Sequence, residues 1–202
     1  MNIEEAKALF KDNFIGLDEI RSINNKLKIN LPNKNPELNI ELDDIDPNEY
    51  ILILGTEELT NSKKLNIKEF VKIFGYQYDK NSASFYNQDW YLEEKFVNKC
   101  LLNKWYLIQK YIPDYTRGFQ PSIETKPFLP SAILCVYTFF IWSILRQEYL
   151  WGNDYVWCSD IDRHGDQIYV GKYHDLDNFK RSGFSIHRHL SIKNNYGVIK
   201  SI

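Results

Sequence analysis

Two histidines separated by a single residue, His187 and His189, are the pair in this sequence best suited to chemistry. They lie in residues 185–191, where apolar and polar side chains alternate as in a β-strand. Because alternate side chains of a strand share a face, we expect both imidazoles to point to the same side. Two imidazoles placed in this way can bind one divalent metal ion.

Asp160 and Asp162 are also two residues apart and also fall in a segment expected to be a strand. If their face converges with that of the histidines, the four side chains make a mixed imidazole and carboxylate site that activates water. The metal-ligand prediction is therefore His187, His189, Asp160 and Asp162. The competing interpretation is an exposed, hydrogen-bonded strand face that holds no cofactor.

Arg188 falls among the apolar positions of the same alternation, so its guanidinium is expected on the core side. A buried guanidinium needs an anionic partner. That partner is a carboxylate such as Asp160 or Asp166, or else a bound anionic ligand. Arg188 therefore joins the predicted ligand-binding residues, the others being Trp157, Tyr169 and Lys172.

The last 50 residues must position these side chains, and their pattern is typical of an antiparallel sheet. Residues 155–161 and 167–173 flank an Asp- and Gly-rich stretch, which predicts a hairpin with Gly165 at a positive φ. Residues 184–192 predict a third strand, with Ile186, Leu190 and Ile192 toward the core. Residues 196–199 predict a fourth strand.

One long apolar helix is predicted to support this sheet. Residues 132–145 carry no charge, Ser131 can cap their first turn, and the helix is expected to reach about residue 150. A membrane span needs about 20 apolar residues, so these 14 predict a buried core helix and no membrane partner.

The N-terminal half reads mainly as helices. Apolar spacing predicts a helical hairpin over residues 1–30 as an appendage, a linker over 32–48, and a helix over 66–74. Residues 50–54 fit either a strand or a helical turn, and 105–112 predict a strand. The expected fold is α+β in one domain, 1–202. Its N-terminal half is helical, and its mostly antiparallel C-terminal sheet packs on the long buried helix.

Charge and cysteine content limit the function classes. The 25 basic and 27 acidic residues leave a net charge of −2, which gives no bulk attraction for nucleic acid. The three cysteines are odd in number and form no CxxC pair, which predicts reduced thiols and a cytoplasmic protein. The first residues lack a basic start followed by an apolar core, so no secretory signal is expected.

The sequence contains none of the motifs that mark a hydrolase nucleophile, a phosphate-binding loop or a zinc protease. Basic residues interleave with aromatic ones near the C-terminus, and a local nucleic-acid-binding face stays an alternative there. A mixed, solvated surface explains the same residues, because six acidic groups share that region.

Residues 105–199 resemble bacterial C-type-lectin-like modules. The resemblance follows the order Trp105-Tyr-Leu-Ile108, then Leu129-Pro-Ser131 and a helix, then Trp157-Cys-Ser159 and Ile168-Tyr-Val-Gly171. The paired cysteines usual in those modules are missing, and the helix is longer and more apolar. The resemblance implies a binding module without catalysis.

The sequence therefore predicts a non-catalytic cytoplasmic binding or interaction protein that uses its C-terminal sheet surface. Its expected partner is a protein or a small ligand. One alternative is a metal-dependent hydrolase or nuclease with a His/Asp site, and another is a nucleic-acid-binding protein. No cofactor is expected under the first hypothesis, and a divalent metal ion under the second.

Overall fold

The computed structural model describes residues 1–76, 83–171, 173 and 182–202. In these ranges the chain forms four α-helices and seven β-strands. The helices are α1 (Ile3–Phe10), α2 (Leu17–Leu27), α3 (Ile67–Phe74) and α4 (Ala132–Arg146). The strands are β1 (Phe14–Ile15), β2 (Tyr50–Leu54), β3 (Trp105–Gln109), β4 (Tyr155–Ile161), β5 (Gln167–Gly171), β6 (Ser185–His187) and β7 (Tyr196–Gly197).

The strands make two mixed sheets. The first has the order β1-β2-β3, with β1 parallel to β2 and β2 antiparallel to β3. The second has the order β6-β5-β4-β7, antiparallel except where β4 pairs with β7. The α+β class predicted from the sequence is confirmed, and the N-terminal half contributes strands β1 and β2 to the first sheet in addition to its helices.

Helix α4 lies at the centre of the core. Ser131 caps it by accepting the backbone N–H of Leu134 at 3.3 Å, as predicted, and its first 12 residues are buried. The prediction that it reaches residue 150 is wrong. Gln147 adopts a left-handed φ of +56° and ends the helix one residue after Arg146.

Helix α4 contacts both sheets. It packs on β4 and β5, and the hydroxyl of its Tyr137 donates to the carbonyl of Leu54 at the end of β2, at 2.8 Å. The helix has 15 residues, and no helix in the described part of the chain has the length and apolarity that a membrane crossing demands.

Residues 1–30 do not stand apart from the core as an appendage. Strand β1 separates α1 from α2 and pairs with β2, which ties this region into the first sheet. Ala6, Phe10 and Ile20 are buried in the same apolar cluster as α4. Short-range spacing predicted the two helices, but the parallel pairing of β1 depends on a strand 35 or more residues away, which local periodicity does not detect.

The four-stranded sheet has two different faces. Val156, Cys158 and Ile168 join the main core beneath α4. The opposite face forms a separate cluster that is rich in aromatic rings. We call this cluster the outer aromatic layer; its members are Leu129, Tyr155, Trp157, Tyr169, Tyr196 and Val198. Trp157 and Tyr169, two of the predicted ligand-binding residues, belong to it.

Candidate functional site

The carboxylate of Asp162 organises the turn between β4 and β5. Its Oδ1 accepts the backbone N–H groups of His164 at 2.8 Å and of Asp166 at 2.9 Å. Gly165 supplies the positive φ of +90° that the turn requires. The predicted hairpin is confirmed, with strands over Tyr155–Ile161 and Gln167–Gly171; residue 172 of the predicted second strand lies outside the described residues. The turn places Asp166 at the surface, opposite the segment that follows β6.

Among the described residues, Arg188 is the only cation that pairs with the side chain of Asp162. Nη1 of Arg188 donates to Asp162 Oδ2, and the guanidinium lies 4.4 Å from the centre of the Trp90 ring. A carboxylate partner for Arg188 was predicted, but Asp160 and Asp166 were the residues named. Burial by itself raises the pKa of Asp162; the hydrogen bonds from Asp166, Arg188 and His164 outweigh it, so its pKa lies below the usual range.

A second buried carboxylate, Glu94, completes this network and was missed by the sequence analysis. It accepts the backbone N–H of Arg163 at 3.0 Å and the Nε of Arg163 at 2.8 Å. Arg188 Nη1 lies 3.9 Å from its Oε1. Glu94 is 69 residues away from Arg163, so no local pattern connects the two.

The two histidines do not share a strand face. Strand β6 ends at His187, and His189 adopts a left-handed φ of +63°, which breaks the alternation. The ring of His187 lies against Tyr155 and Tyr169, with centroids 5.6 Å and 6.3 Å away, and 3.0 Å from the amide nitrogen of Gln88. The expected strand over 184–192 is therefore wrong beyond residue 187, and Leu190 is exposed instead of facing the core.

His189 turns toward the hairpin, where its Nε2 contacts Oδ2 of Asp166. Single ligand atoms from Asp162, Asp166 and His189 lie within 4.8 Å of one another. The structure thus brings together two of the four predicted metal ligands and adds Asp166. The sequence feature that could have identified Asp166 is its position four residues after Asp162, with Gly165 between them.

Asp160 belongs to a different environment. It is buried on the helix side of β4, where its Oδ2 accepts the backbone N–H of Ala132 at 2.6 Å and its Oδ1 pairs with Lys99. Its carboxylate is therefore committed to the first turn of α4. Among the described residues, neither Asp160 nor His187 belongs to the group of converging ligand atoms.

The converging group fits a divalent metal ion poorly. Asp162 Oδ1 already accepts two backbone N–H groups, and Oδ2 accepts Arg188. A cation bound there would lie beside the guanidinium, and two positive charges at such a distance repel each other. Of the three residues in this group, only Asp166 and His189, both substantially exposed, have side chains that do not bond to the surrounding backbone or to an arginine.

These two residues instead border a cleft of about 320 Å³ over the outer aromatic layer. Trp157 and Tyr169 form part of its wall, with ring centroids 5.0 Å apart in an edge-to-face arrangement. Gln120, from the long loop 113–130, lines the same cleft and was not predicted. Three predicted residues, Trp157, Tyr169 and His189, therefore meet at one surface depression.

The two aromatic residues of this wall are fixed by hydrogen bonds. Trp157 Nε1 donates to the carbonyl of Phe119 at 3.1 Å, and the Tyr169 hydroxyl accepts the backbone N–H of Leu190 at 2.7 Å. Burial raises the pKa of Tyr169 well above its usual range, so the phenol is neutral at physiological pH. Lys172, the remaining predicted ligand-binding residue, lies outside the described residues.

These residues form a polar depression on the aromatic face of the four-stranded sheet, with the pair His189 and Asp166 at its rim. No family model matches the chain, and neither the curated proteins nor the solved structures contain a match to it.

Proposed function

We propose that this protein is a non-catalytic binding protein, cytoplasmic as its cysteine pattern suggests, whose ligand occupies the cleft over the outer aromatic layer. The observation that carries the proposal is the convergence of Trp157, Tyr169, Asp166 and His189 on a single cleft of about 320 Å³. That size is near the lower end of about 300–1,000 Å³ for small-molecule sites. A small ligand is therefore favoured over a protein.

The polar groups of the cleft favour a ligand with several hydroxyl groups. Gln120 and Gln167 provide side-chain amides, Asp166 a carboxylate and His189 an imidazole. Such groups accept from and donate to hydroxyls, while Leu190 contributes apolar surface. Because Asp166 is the only acid on this wall among the described residues and His189 lies against it, the site does not favour an anionic ligand.

The arrangement gives less support to catalysis. A nucleophile needs an adjacent base that can take its proton. Among the described residues, the hydroxyl that lines this cleft belongs to Tyr169, which accepts the Leu190 N–H and has a raised pKa. Among the described residues, the cleft wall therefore offers no reactive hydroxyl or thiol that His189 and Asp166 could activate as a nucleophile.

The nucleic-acid alternative is also less favoured by the contacts of the arginines. Arg163 pairs with Glu94, and Arg188 pairs with Asp162, so both guanidinium groups are already neutralised. Phosphate binding depends on cations that can release counterions from the nucleic acid. Lys193 borders a neighbouring depression and adds a single charge there.

A thermal-shift panel of monosaccharides, linear polyols and nucleosides tests the binding proposal, with calorimetry on any compound that stabilises the protein. Loss of one hydrogen bond to a charged group weakens binding about tenfold or more, which is the expected effect of Asp166→Asn. Gln120→Ala should weaken binding by several-fold. Asp43→Asn, an exposed change in the N-terminal half, is the matched control and should bind normally.

The proposal fails if no compound of the panel binds, or if Asp166→Asn and Gln120→Ala bind as well as the control. A metal-dependent hydrolase is the second candidate, because Asp162, Asp166 and His189 do bring three ligand atoms together. Calorimetric titration of chelator-treated protein with Zn²⁺ and Mn²⁺ separates the two. Stoichiometric binding that is lost in His189→Ala would favour the hydrolase.

A further inference from the structure

A second cleft, of about 230 Å³, lies between the end of β3, the C-terminal part of α4 and the segment 148–154. It is lined by different residues from the cleft over the outer aromatic layer, and much of its wall is apolar or aromatic. We call it the Lys110 cleft; the side chains that matter for its chemistry are Lys110, Trp142, Glu148, Leu150, Trp151 and Asp154.

The ammonium group of Lys110 is the unpaired cation of this cleft. It lies 4.6 Å from the centre of the Trp142 ring and 5.1 Å from that of Tyr111, which holds it by cation–π contact. Among the residues that the structure describes, it donates one hydrogen bond, to the side-chain oxygen of Asn13 at 3.3 Å. Within the described ranges of the chain, no carboxylate forms an ion pair with it, so its charge is not neutralised by the protein.

The other cation of the cleft, Arg117, is already satisfied. Its Nη1 and Nη2 donate to the two carboxylate oxygens of Asp154 at 2.8 and 3.1 Å, and its Nε donates to Asp114. Asp154 is therefore neutralised in the same way. Lys110 therefore carries the positive charge that is available to pair with a ligand. Glu148 is an exposed carboxylate at the rim of the cleft.

The indole of Trp142 adds an independent observation. Four of the five tryptophans donate their indole N–H to a backbone carbonyl, namely Trp90, Trp105, Trp151 and Trp157. Trp142 is 2% exposed, lines the cleft, and has no acceptor for its N–H among the described residues. Buried donors are nearly always paired, so this unpaired indole N–H sets Trp142 apart from the other four tryptophans.

The opposite wall is held in an unusual conformation. Trp151 adopts a φ of +51°, a region that bulky side chains rarely occupy. Its indole donates to the carbonyl of Lys110 at 3.1 Å, so the wall is tied directly to the residue that carries the cation. Backbone strain of this kind persists where the surrounding structure requires it, and it concentrates at binding sites.

We propose that the Lys110 cleft is a second binding site, for a small monocarboxylate with an aromatic or apolar body. The carboxylate pairs with the Lys110 ammonium, while the body packs against Leu150 and Trp151. Glu148 repels a second negative charge, which selects against dianions such as inorganic phosphate.

The test uses benzoate as the probe and the indole N–H signals of the ¹⁵N-labelled protein as the readout. Single Trp→Phe variants assign the signals. Benzoate should shift the Trp142 and Trp151 signals in a saturable manner and leave Trp157 unchanged, so failure here is distinguishable from failure of the first cleft. Benzamide, which has the same shape without the charge, should bind about tenfold or more weakly, as should phosphate.

Lys110→Gln removes the charge and should weaken benzoate binding about tenfold or more. Lys104→Gln is the matched control, because Lys104 also lies over an aromatic ring, 4.8 Å from the centre of Tyr106, but does not line the cleft. The proposal is overturned if benzoate shifts neither indole signal, or if Lys110→Gln binds as well as the control. Equal binding of benzamide to the wild-type protein overturns it without any variant.

Discussion

Asp160 on β4 accepts the backbone N–H of Ala132, at 2.6 Å, in the first turn of α4. The first N–H groups of a helix have no partner within the helix, and an anionic side chain at that end is favourable. Asp160 is buried, and the sheet is thereby joined to the start of the helix by a charged hydrogen bond. A residue expected to bind metal instead connects the two main elements of the C-terminal half.

Asp160→Ala is expected to reduce the free energy of unfolding by about 2 kcal/mol, because it leaves the Ala132 N–H buried and unpaired. Denaturant unfolding monitored by circular dichroism measures the loss. Asp12→Ala, at a carboxylate that is 92% exposed, is the control and should change stability by less than about 0.5 kcal/mol. Equal effects of the two substitutions would contradict the capping role.

Arg188→Met is expected to cost about 3 kcal/mol, since removing one partner of a buried ion pair leaves the other charge uncompensated. The double variant Arg188→Met/Asp162→Asn should lose less than the sum of the two single variants, because it removes both charges. Arg21→Met serves for comparison. It breaks an exposed ion pair with Asp18 and should cost no more than about 1 kcal/mol. Additive losses at Arg188 and Asp162 would show that the two side chains are not coupled.

Acid should weaken the fold through Asp162. Its folded-state pKa lies below the unfolded value, so its contribution to stability is complete above the unfolded pKa and is lost as the pH falls through the folded one. With an unfolded value of about 3.9, the loss begins near pH 4 and grows below it. Asp162→Asn should be less stable than wild type at neutral pH, and the two should converge in acid. A constant difference in unfolding free energy from pH 7 to pH 3 would contradict this.

Gly171 and Gly165 should respond differently to substitution by alanine. Both have a positive φ, of +123° and +90°, where a side chain is strained. A Cβ on Gly171 would also meet the carbonyl oxygen of Asp154 at 2.4 Å, whereas a Cβ on Gly165 meets nothing within 4 Å. We expect about 1–2 kcal/mol of destabilisation at Gly165 and a larger loss at Gly171. Thermal unfolding of the two variants decides, and a greater loss at Gly165 would contradict the packing argument.

Several elements followed from local patterns in the sequence. The helix predicted over residues 66–74 is confirmed as α3, and the side chain of Asn66 caps it by accepting the Glu69 N–H at 3.1 Å. Ser131 and the uncharged stretch after it predicted α4 as a buried helix. Asp162 and Gly165 predicted the hairpin. In each case the information lies within a few residues, where capping and turn geometry operate.

The candidate site depends on contacts between residues that are far apart in the chain, and the sequence alone does not reveal which of them meet. Alternation predicted that His187 and His189 share a face, but β6 ends at His187 after pairing with β5, and His189 turns toward Asp166, 23 residues earlier. Asp160 and Asp162 have the same residue type, and yet the first is committed to α4 and the second to Arg188.

The amino-acid sequence by itself determined the local elements of this protein: the buried apolar helix, the hairpin turn and the aromatic side chains of the last strands. Only the tertiary structure decided which acidic group meets which basic group, and where the clefts lie. The physical reason is that helix caps and turns depend on interactions between near neighbours. The partners of Asp160, Arg188 and Lys110 are set by how α4, the two sheets and their connecting segments pack together.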